Sequence, residues 1–229
     1  MSPRIYRPHS LRAFLLLLLV ALIVATVSAG QPVYRIMPVG DSITEGGKTF
    51  SNYRYPLWEK LGGKSVIRWV RHHAGDLGVD PNRVTAAGAS AGGQVAAAAG
   101  LVPGLDEPGE DGSVSSRPNA LVLWYAVVEN GPDGYGSRGM KARYREVSPL
   151  HNITSNAPPT LFLLGTQDSL IPVSTAEAFK ARMEQAGGRC ELVLFPGAGH
   201  PIYDYRRGGS SLREQILREV DRFLADILH

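Results

Sequence analysis

A serine, an acid and a histidine in this chain are spaced as acyl-transfer chemistry needs them. Ser90 lies in Gly88-Ala89-Ser90-Ala91-Gly92, a G-x-S-x-G pattern. Asp168 closes Gly165-Thr166-Gln167-Asp168, and His200 closes Pro196-Gly197-Ala198-Gly199-His200. A serine hydroxyl is a weak nucleophile until a neighbouring base takes its proton, and an imidazole can take that proton and give it back. An acid behind the histidine fixes its tautomer and stabilises the charged ring. The glycines around Ser90 suit a serine at a sharp strand-to-helix turn, where the backbone is strained and flanking side chains would clash. The helix predicted to start at Ala91 points its first amides at the same spot, so the Ala91 N–H is the candidate oxyanion donor. Taken singly, each residue has a plainer reading: Ser90 as part of a small-residue helix start, Asp168 as a turn residue leading a helix, His200 as a polar residue between glycine and proline. Their order and their placement after strands join them into one constellation.

That placement depends on the elements. Val84 to Ala89 reads as the strand leading to Ser90. Ala120-Leu-Val-Leu-Trp-Tyr-Ala-Val-Val128 is a nearly continuous apolar run of the kind a strand buried on both faces shows, and Thr160-Leu-Phe-Leu-Leu164 and Cys190-Glu-Leu-Val-Leu-Phe195 are two more strands. Ahead of them, the helix over Ser65 to Gly78 has Val66, Ile67, Trp69 and Val70 on one face. Ser174-Thr175-Ala176-Glu177 forms a capping box for a helix stopped by Gly187-Gly188. Ser211-Leu212-Arg213-Glu214 caps a closing helix with Ile216, Val220, Phe223, Leu224 and Ile227 inward. Pro103 to Pro118 reads as a surface loop, and Glu129 to Pro159 as a long insert, of a length that usually serves function and here would cover substrate. Alternating strands and helices predict an α/β fold, a mostly parallel sheet with helices on both faces, whose ligands bind at the carboxyl ends of the strands. Ser90, Asp168 and His200 each follow a different strand, so parallel strands bring all three to one edge.

Residues 64–229 resemble the α/β-hydrolase esterases of the acetyl-esterase and feruloyl-esterase type. The matching points are Gly88-Ala89-Ser90-Ala91-Gly92-Gly93, Ser148-Pro149-Leu150-His151-Asn152-Ile153, Gly165-Thr166-Gln167-Asp168 and Gly199-His200, in the chain order serine, acid, histidine. The resemblance implies hydrolysis of carboxylic esters, often acyl groups on plant polysaccharides, with no cofactor. It also exposes a departure. That family takes a second oxyanion donor from a His-Gly-Gly loop, and no such stretch precedes Ser90 here, so the N-terminal strands read as truncated. Losing one oxyanion donor costs on the order of a hundred- to a thousandfold in turnover.

What stands in that place is similar to something else. Val33-Tyr-Arg-Ile-Met-Pro-Val39 followed by Gly40-Asp41-Ser42-Ile43-Thr44-Glu45-Gly46 resembles the first block of the GDSL, or SGNH, esterases, with Tyr53 to Trp58 continuing the likeness. In that family the serine of this block is the nucleophile. Its later asparagine block has Gln167 here, however, and the position three before His200 is Gly197 rather than aspartate, so Ser42 reads as orphaned. One arrangement would restore activity: the 33–39 strand replaces the missing one, and amides around Gly40 to Ser42 supply the second donor.

The 229 residues, 44% hydrophobic, suit one globular domain. The domains expected are a signal peptide over 1–29, a GDSL-like segment over 30–63 and the hydrolase domain over 64–229. Arg4, Arg7 and Arg12, the apolar run 13–25 and Val27-Ser28-Ala29 make the export signal, cut after Ala29, with an uncleaved membrane anchor as the alternative. Cleavage removes three arginines and no acids. The formal charge of +3 then becomes zero, which argues for no nucleic-acid partner and, once the signal is gone, no membrane. The mature protein is expected to be secreted or periplasmic. Cys190, the only cysteine, sits in an apolar strand and reads as filler. Asn152-Ile153-Thr154 fits a glycosylation acceptor, and the remaining histidines suggest no metal site. The function expected is a serine esterase acting on an ester, with acylated carbohydrate as the candidate partner. The alternatives left open are a peptidase or lipase on the same fold, and a truncated, non-catalytic relic.

Overall fold

The computed structural model describes residues 66–106, 109–135, 141–200, 202 and 205–228, all within the compact unit spanning 38–229. The GDSL-like block, Ser42, the amides of 40–42 and the signal segment lie outside these residues. Four strands, β1 (Thr85–Ala89), β2 (Ala120–Trp124), β3 (Thr160–Gly165) and β4 (Cys190–Phe195), form one parallel sheet in the order β1-β2-β3-β4. This is the mostly parallel α/β arrangement that the alternation predicts. All six residues of β3 and four of the five in β2 are buried. Successive side chains on a strand point to opposite faces, so burial at every position means that both faces of the central strands are covered.

The helices are α1 (Val66–His72), α2 (Ala74–Leu77), α3 (Ala91–Leu101), α4 (Val173–Gln185) and α5 (Tyr205–Leu228). Phe162 on β3 meets Phe179 on α4 edge to face at 5.7 Å, and Phe223 of α5 is fully buried in the same core. Ile216 is also buried, and Val220, Leu224 and Ile227 pack against the core, so the closing helix presents the predicted face.

Several boundaries differ from the sequence reading, each for a local reason. Helix α4 begins one residue before Ser174, after Pro172, with no side-chain cap, so the S-x-x-E pattern lies inside the helix. Helix α5 begins at Tyr205, which makes Ser211 an interior residue. The 65–78 helix is two pieces, closed by Gly78 at φ 62°. The apolar residues of its first piece, Val66, Ile67, Trp69 and Val70, are half-buried, whereas Arg68 is buried: its guanidinium pairs with Asp106 at 2.8 Å and with Glu110, and donates to the Val114 carbonyl at 2.7 Å. Arg68 thereby fastens the 103–118 loop to α1. Strand β2 stops at Trp124, because Tyr125 turns to φ 36° and the buried residues 126–130 continue as irregular chain. Within the insert, Lys141–Glu146 and Pro149–Asn152 form two short 3-10 helices.

Candidate active site

Ser90 joins β1 to α3 at φ 52°, ψ −121°, outside the backbone regions open to most L residues. Its surroundings hold it there. The Ser90 N–H donates to the Trp124 carbonyl at 3.0 Å, and the Ser90 carbonyl accepts from Gln94 and Val127, both at 3.2 Å. The glycines are steric requirements: a Cβ at Gly88 would lie 2.7 Å from the Gly93 nitrogen, and one at Gly93 would lie 2.9 Å from the Ala126 Cα. Ala91 opens α3, so its N–H is one of the helix-start donors that have no intrahelical acceptor.

The loops after β3 and β4 are laced to one another. The Thr166 N–H donates to the Phe195 carbonyl at 3.0 Å, the Gln167 N–H to the Ala198 carbonyl at 2.8 Å, and the Gly197 N–H to the Thr166 hydroxyl at 2.9 Å. This lacing brings Asp168 and His200 together. The Asp168 side chain is fully buried; one carboxylate oxygen, Oδ1, accepts the N–H groups of Leu170 at 2.8 Å and Ile171 at 2.9 Å, and the other, Oδ2, lies 2.8 Å from His200 Nδ1. His200 Nε2 lies 3.1 Å from Ser90 Oγ. A carboxylate only accepts, so the network assigns the proton to Nδ1 and leaves Nε2 to accept from the serine hydroxyl. The three residues picked out in the sequence therefore form one hydrogen-bonded line, oriented from acid to nucleophile, with the His200 side chain 13% exposed toward solvent.

Other sequence candidates fall elsewhere. Cys190 is buried in β4, where burial pushes its thiol up to about 12, so it is no nucleophile. The Asn152 amide nitrogen of the glycosylation pattern is engaged internally, donating to the carbonyls of Arg145 at 2.7 Å and Ser148 at 2.9 Å. His72 is exposed, and His73 stacks on Trp69 at 4.3 Å.

Two features had no usable sequence signal. Tyr125 lies edge to face with His200 at 4.4 Å, and its place follows from a backbone turn inside an apolar run. A polar network also roots the insert beside the site. The fully buried Ser148 hydroxyl accepts the Asn130 N–H at 3.1 Å and lies 2.9 Å from His151 Nδ1. His151 Nε2 faces Glu129 at 3.7 Å, and Gln94 on α3 donates to Asn130 at 2.9 Å. Ser148 and His151 were visible only as points of family resemblance.

Residues 110–229, which carry Asp168 and His200, match the model described as the prolyl oligopeptidase family, and residues 63–130, which carry Ser90, match one described as BD-FAE. Esterase LipC of Mycobacterium tuberculosis is 32% identical over 177 residues, covering 65% of this chain and 42% of that protein. A probable isoprenylcysteine alpha-carbonyl methylesterase of Arabidopsis thaliana is 27% identical over 172 residues, covering 63% of this chain and 36% of its own length. Among solved structures, Thermogutta terrifontis esterase 2 phosphoramylated by tabun superposes with a TM-score of 0.65 at 40% identity, over 70% of this chain and 61% of that one. The chain thus spans about two fifths of the length of these curated relatives.

Proposed function

This chain belongs to the prolyl oligopeptidase family, and from that premise we propose that it hydrolyses carboxylic esters through Ser90, His200 and Asp168. The hydrogen-bonded line from Asp168 through His200 to a strained Ser90 carries the reading. Ser90 Oγ attacks the ester carbonyl carbon while His200 Nε2 takes the hydroxyl proton. The carbonyl oxygen becomes an oxyanion facing the Ala91 N–H at the start of α3. Collapse breaks the bond to the alkoxy oxygen, which leaves as the alcohol with the proton from His200. Water, deprotonated by the same nitrogen, then attacks the acyl-serine, releasing the acid and restoring Ser90. Asp168 keeps the Nδ1 tautomer and stabilises the imidazolium throughout.

The esterase names of the relatives support ester chemistry. The acetyl- and feruloyl-esterase resemblance supports an acyl group on a carbohydrate as substrate. The basic, apolar and small-residue order of residues 1–29 supports export of the mature domain. The family also favours a second reading, peptide hydrolysis, in which the same triad acts on an amide.

A fluorophosphonate probe tests the nucleophile. Labelling mapped to Ser90, with turnover of p-nitrophenyl acetate, is the expected result. A folded protein that takes no label and turns over no ester would sink the enzyme reading, and cleavage of peptide p-nitroanilides in preference to esters would favour the peptidase.

A further inference from the structure

Among the described residues, two that are not glycine have φ in the left-handed region, Ser90 and Tyr125. A bulky aromatic residue adopts this conformation only where its surroundings over-determine it, and such strain gathers at functional sites. At Tyr125 the surroundings are the nucleophile itself. The carbonyl of Trp124 accepts the Ser90 N–H, and the Val127 N–H donates to the Ser90 carbonyl, so the turn is clamped to Ser90 from both sides. The Tyr125 N–H still reaches the Leu163 carbonyl on β3 at 2.7 Å. Clamped in this way, the side chain is 2% exposed and its ring stands 4.4 Å from the His200 ring at 73°.

This contact adds a packing restraint to the hydrogen bonds of His200. Nδ1 is held by Asp168 at 2.8 Å and Nε2 faces Ser90 Oγ at 3.1 Å, but the second contact is given up once the serine oxygen is acylated, and the imidazole is then held through Nδ1 and its flank. A ring packed alongside resists rotation of the imidazole out of that line.

We propose that Tyr125 is a positioning residue of this site, its strained backbone setting an aromatic wall that holds the His200 imidazole in line between Asp168 and Ser90. The proposal rests on the reading of His200 as the general base.

The test uses the full chain and five proteins: the parent, Ser90→Ala, Tyr125→Phe, Tyr125→Leu and Tyr125→Met. Each is assayed for p-nitrophenyl acetate turnover and for a cooperative thermal melt. Tyr125→Leu and Tyr125→Met are expected to lower kcat about ten- to a hundredfold with KM within twofold, since misplacing a catalytic group by a fraction of an ångström costs turnover rather than binding. Tyr125→Phe is expected to recover most of the loss. Wild-type kcat in a folded Leu or Met variant, a loss lying wholly in KM, or a Phe variant as impaired as Leu would each overturn the proposal. Ser90→Ala separates the two claims. If it keeps parental turnover, the triad reading fails; if it is inactive while Tyr125→Leu is normal, only the role of Tyr125 fails.

Discussion

The lacing between the loops after β3 and β4 can be tested at Gly165. This glycine ends β3 with no positive φ among its requirements, so alanine is conformationally admissible there. Space is the only objection. A Cβ would meet the Ala198 carbonyl oxygen first, with that carbonyl's carbon at 2.6 Å and the Gly199 oxygen at 3.0 Å, against an ordinary contact distance of at least 3.4 Å. The 196–200 loop must therefore withdraw by more than the 0.8 Å that separates 2.6 from 3.4 Å, because the oxygen stands closer still. His200 lies two residues beyond Ala198, and its ring is held by bonds of 2.8 and 3.1 Å, so a shift of that size breaks the line between acid and nucleophile. Overpacking of this kind costs about 1–3 kcal/mol of stability, which in a domain of this size is roughly 2–4 °C in melting temperature per kcal/mol. A misplacement near 1 Å costs about a hundredfold in turnover. For Gly165→Ala we therefore expect a folded protein with a modestly lowered Tm and kcat down by about two orders of magnitude, with fluorophosphonate labelling of Ser90 slowed in parallel. A variant that loses stability but keeps parental kcat would refute the idea that close approach of these loops sets the catalytic geometry.

Three further outcomes follow from single contacts. Asp168→Asn lets an amide N–H face His200 Nδ1, moving the imidazole proton to Nε2, and should lower kcat by on the order of ten thousandfold without abolishing the fold; a loss under tenfold would remove Asp168 from the mechanism. Cys190, buried and pushed up to about 12, should resist a thiol-specific disulfide reagent in the native state and react once urea unfolds the chain, and Cys190→Ala should leave ester turnover unchanged. At Glu191 burial pushes the carboxyl upward, but hydrogen bonds from Arg222 and Arg189 more than offset it and hold the group below its ordinary value. A depressed acid stabilises the fold above its unfolded pKa and loses that stabilisation as pH falls through the folded value. The parent should therefore lose more Tm than Glu191→Gln on acidification below about pH 4, by an amount worth less than about 1 kcal/mol because the arginines are exposed. Equal acid sensitivity in the two proteins would count against it.

The strands were the legible part of the fold, because β2, β3 and β4 are apolar runs bounded by glycine or proline and the burial of every residue in β3 leaves no polar alternation to confuse them. The helix starts were not. Ser174 and Ser211 satisfy a capping pattern, yet nothing in a four-residue pattern tells whether the helix has already begun, and in both cases it has. The three candidate catalytic residues were legible for a topological reason. Parallel strands deliver every following loop to one edge, so a strand prediction becomes a prediction of proximity. The distances themselves depended on contacts that only the fold supplies, such as the Gly197 N–H reaching Thr166 across the two loops.

Ser90 and Tyr125 show where that limit lies. Both sit in conformations their residue types disfavour, and each is held by the other: Ser90 is pinned by the carbonyl before Tyr125 and the amide two residues after it, and the ring so displayed lies against the histidine that faces Ser90. In the sequence the glycines announced the first strained residue, because a crowded turn needs small neighbours. The second had no such announcement, since Trp124, Tyr125 and Ala126 look like more of the same strand. Strain of order 1–3 kcal/mol at each position is sustained by the sheet: Tyr125 follows β2, which with β3 forms its covered centre, and Ser90 follows β1, whose Thr85 and Ala87 are half-buried, and is bonded to β2 through Trp124. It follows that core substitutions under β2 and β3, such as Leu123→Ala or Leu163→Ala, should loosen the site before they melt the sheet. Each opens a cavity worth about 2–5 kcal/mol in a strand that carries an acceptor of the hydrogen bonds from Ser90 to Trp124 and from Tyr125 to Leu163. Turnover measured as temperature rises should then fall several degrees below the melt of the same variant, whereas coincidence of the two curves would mean that the elbow and its aromatic wall are held by the loops alone.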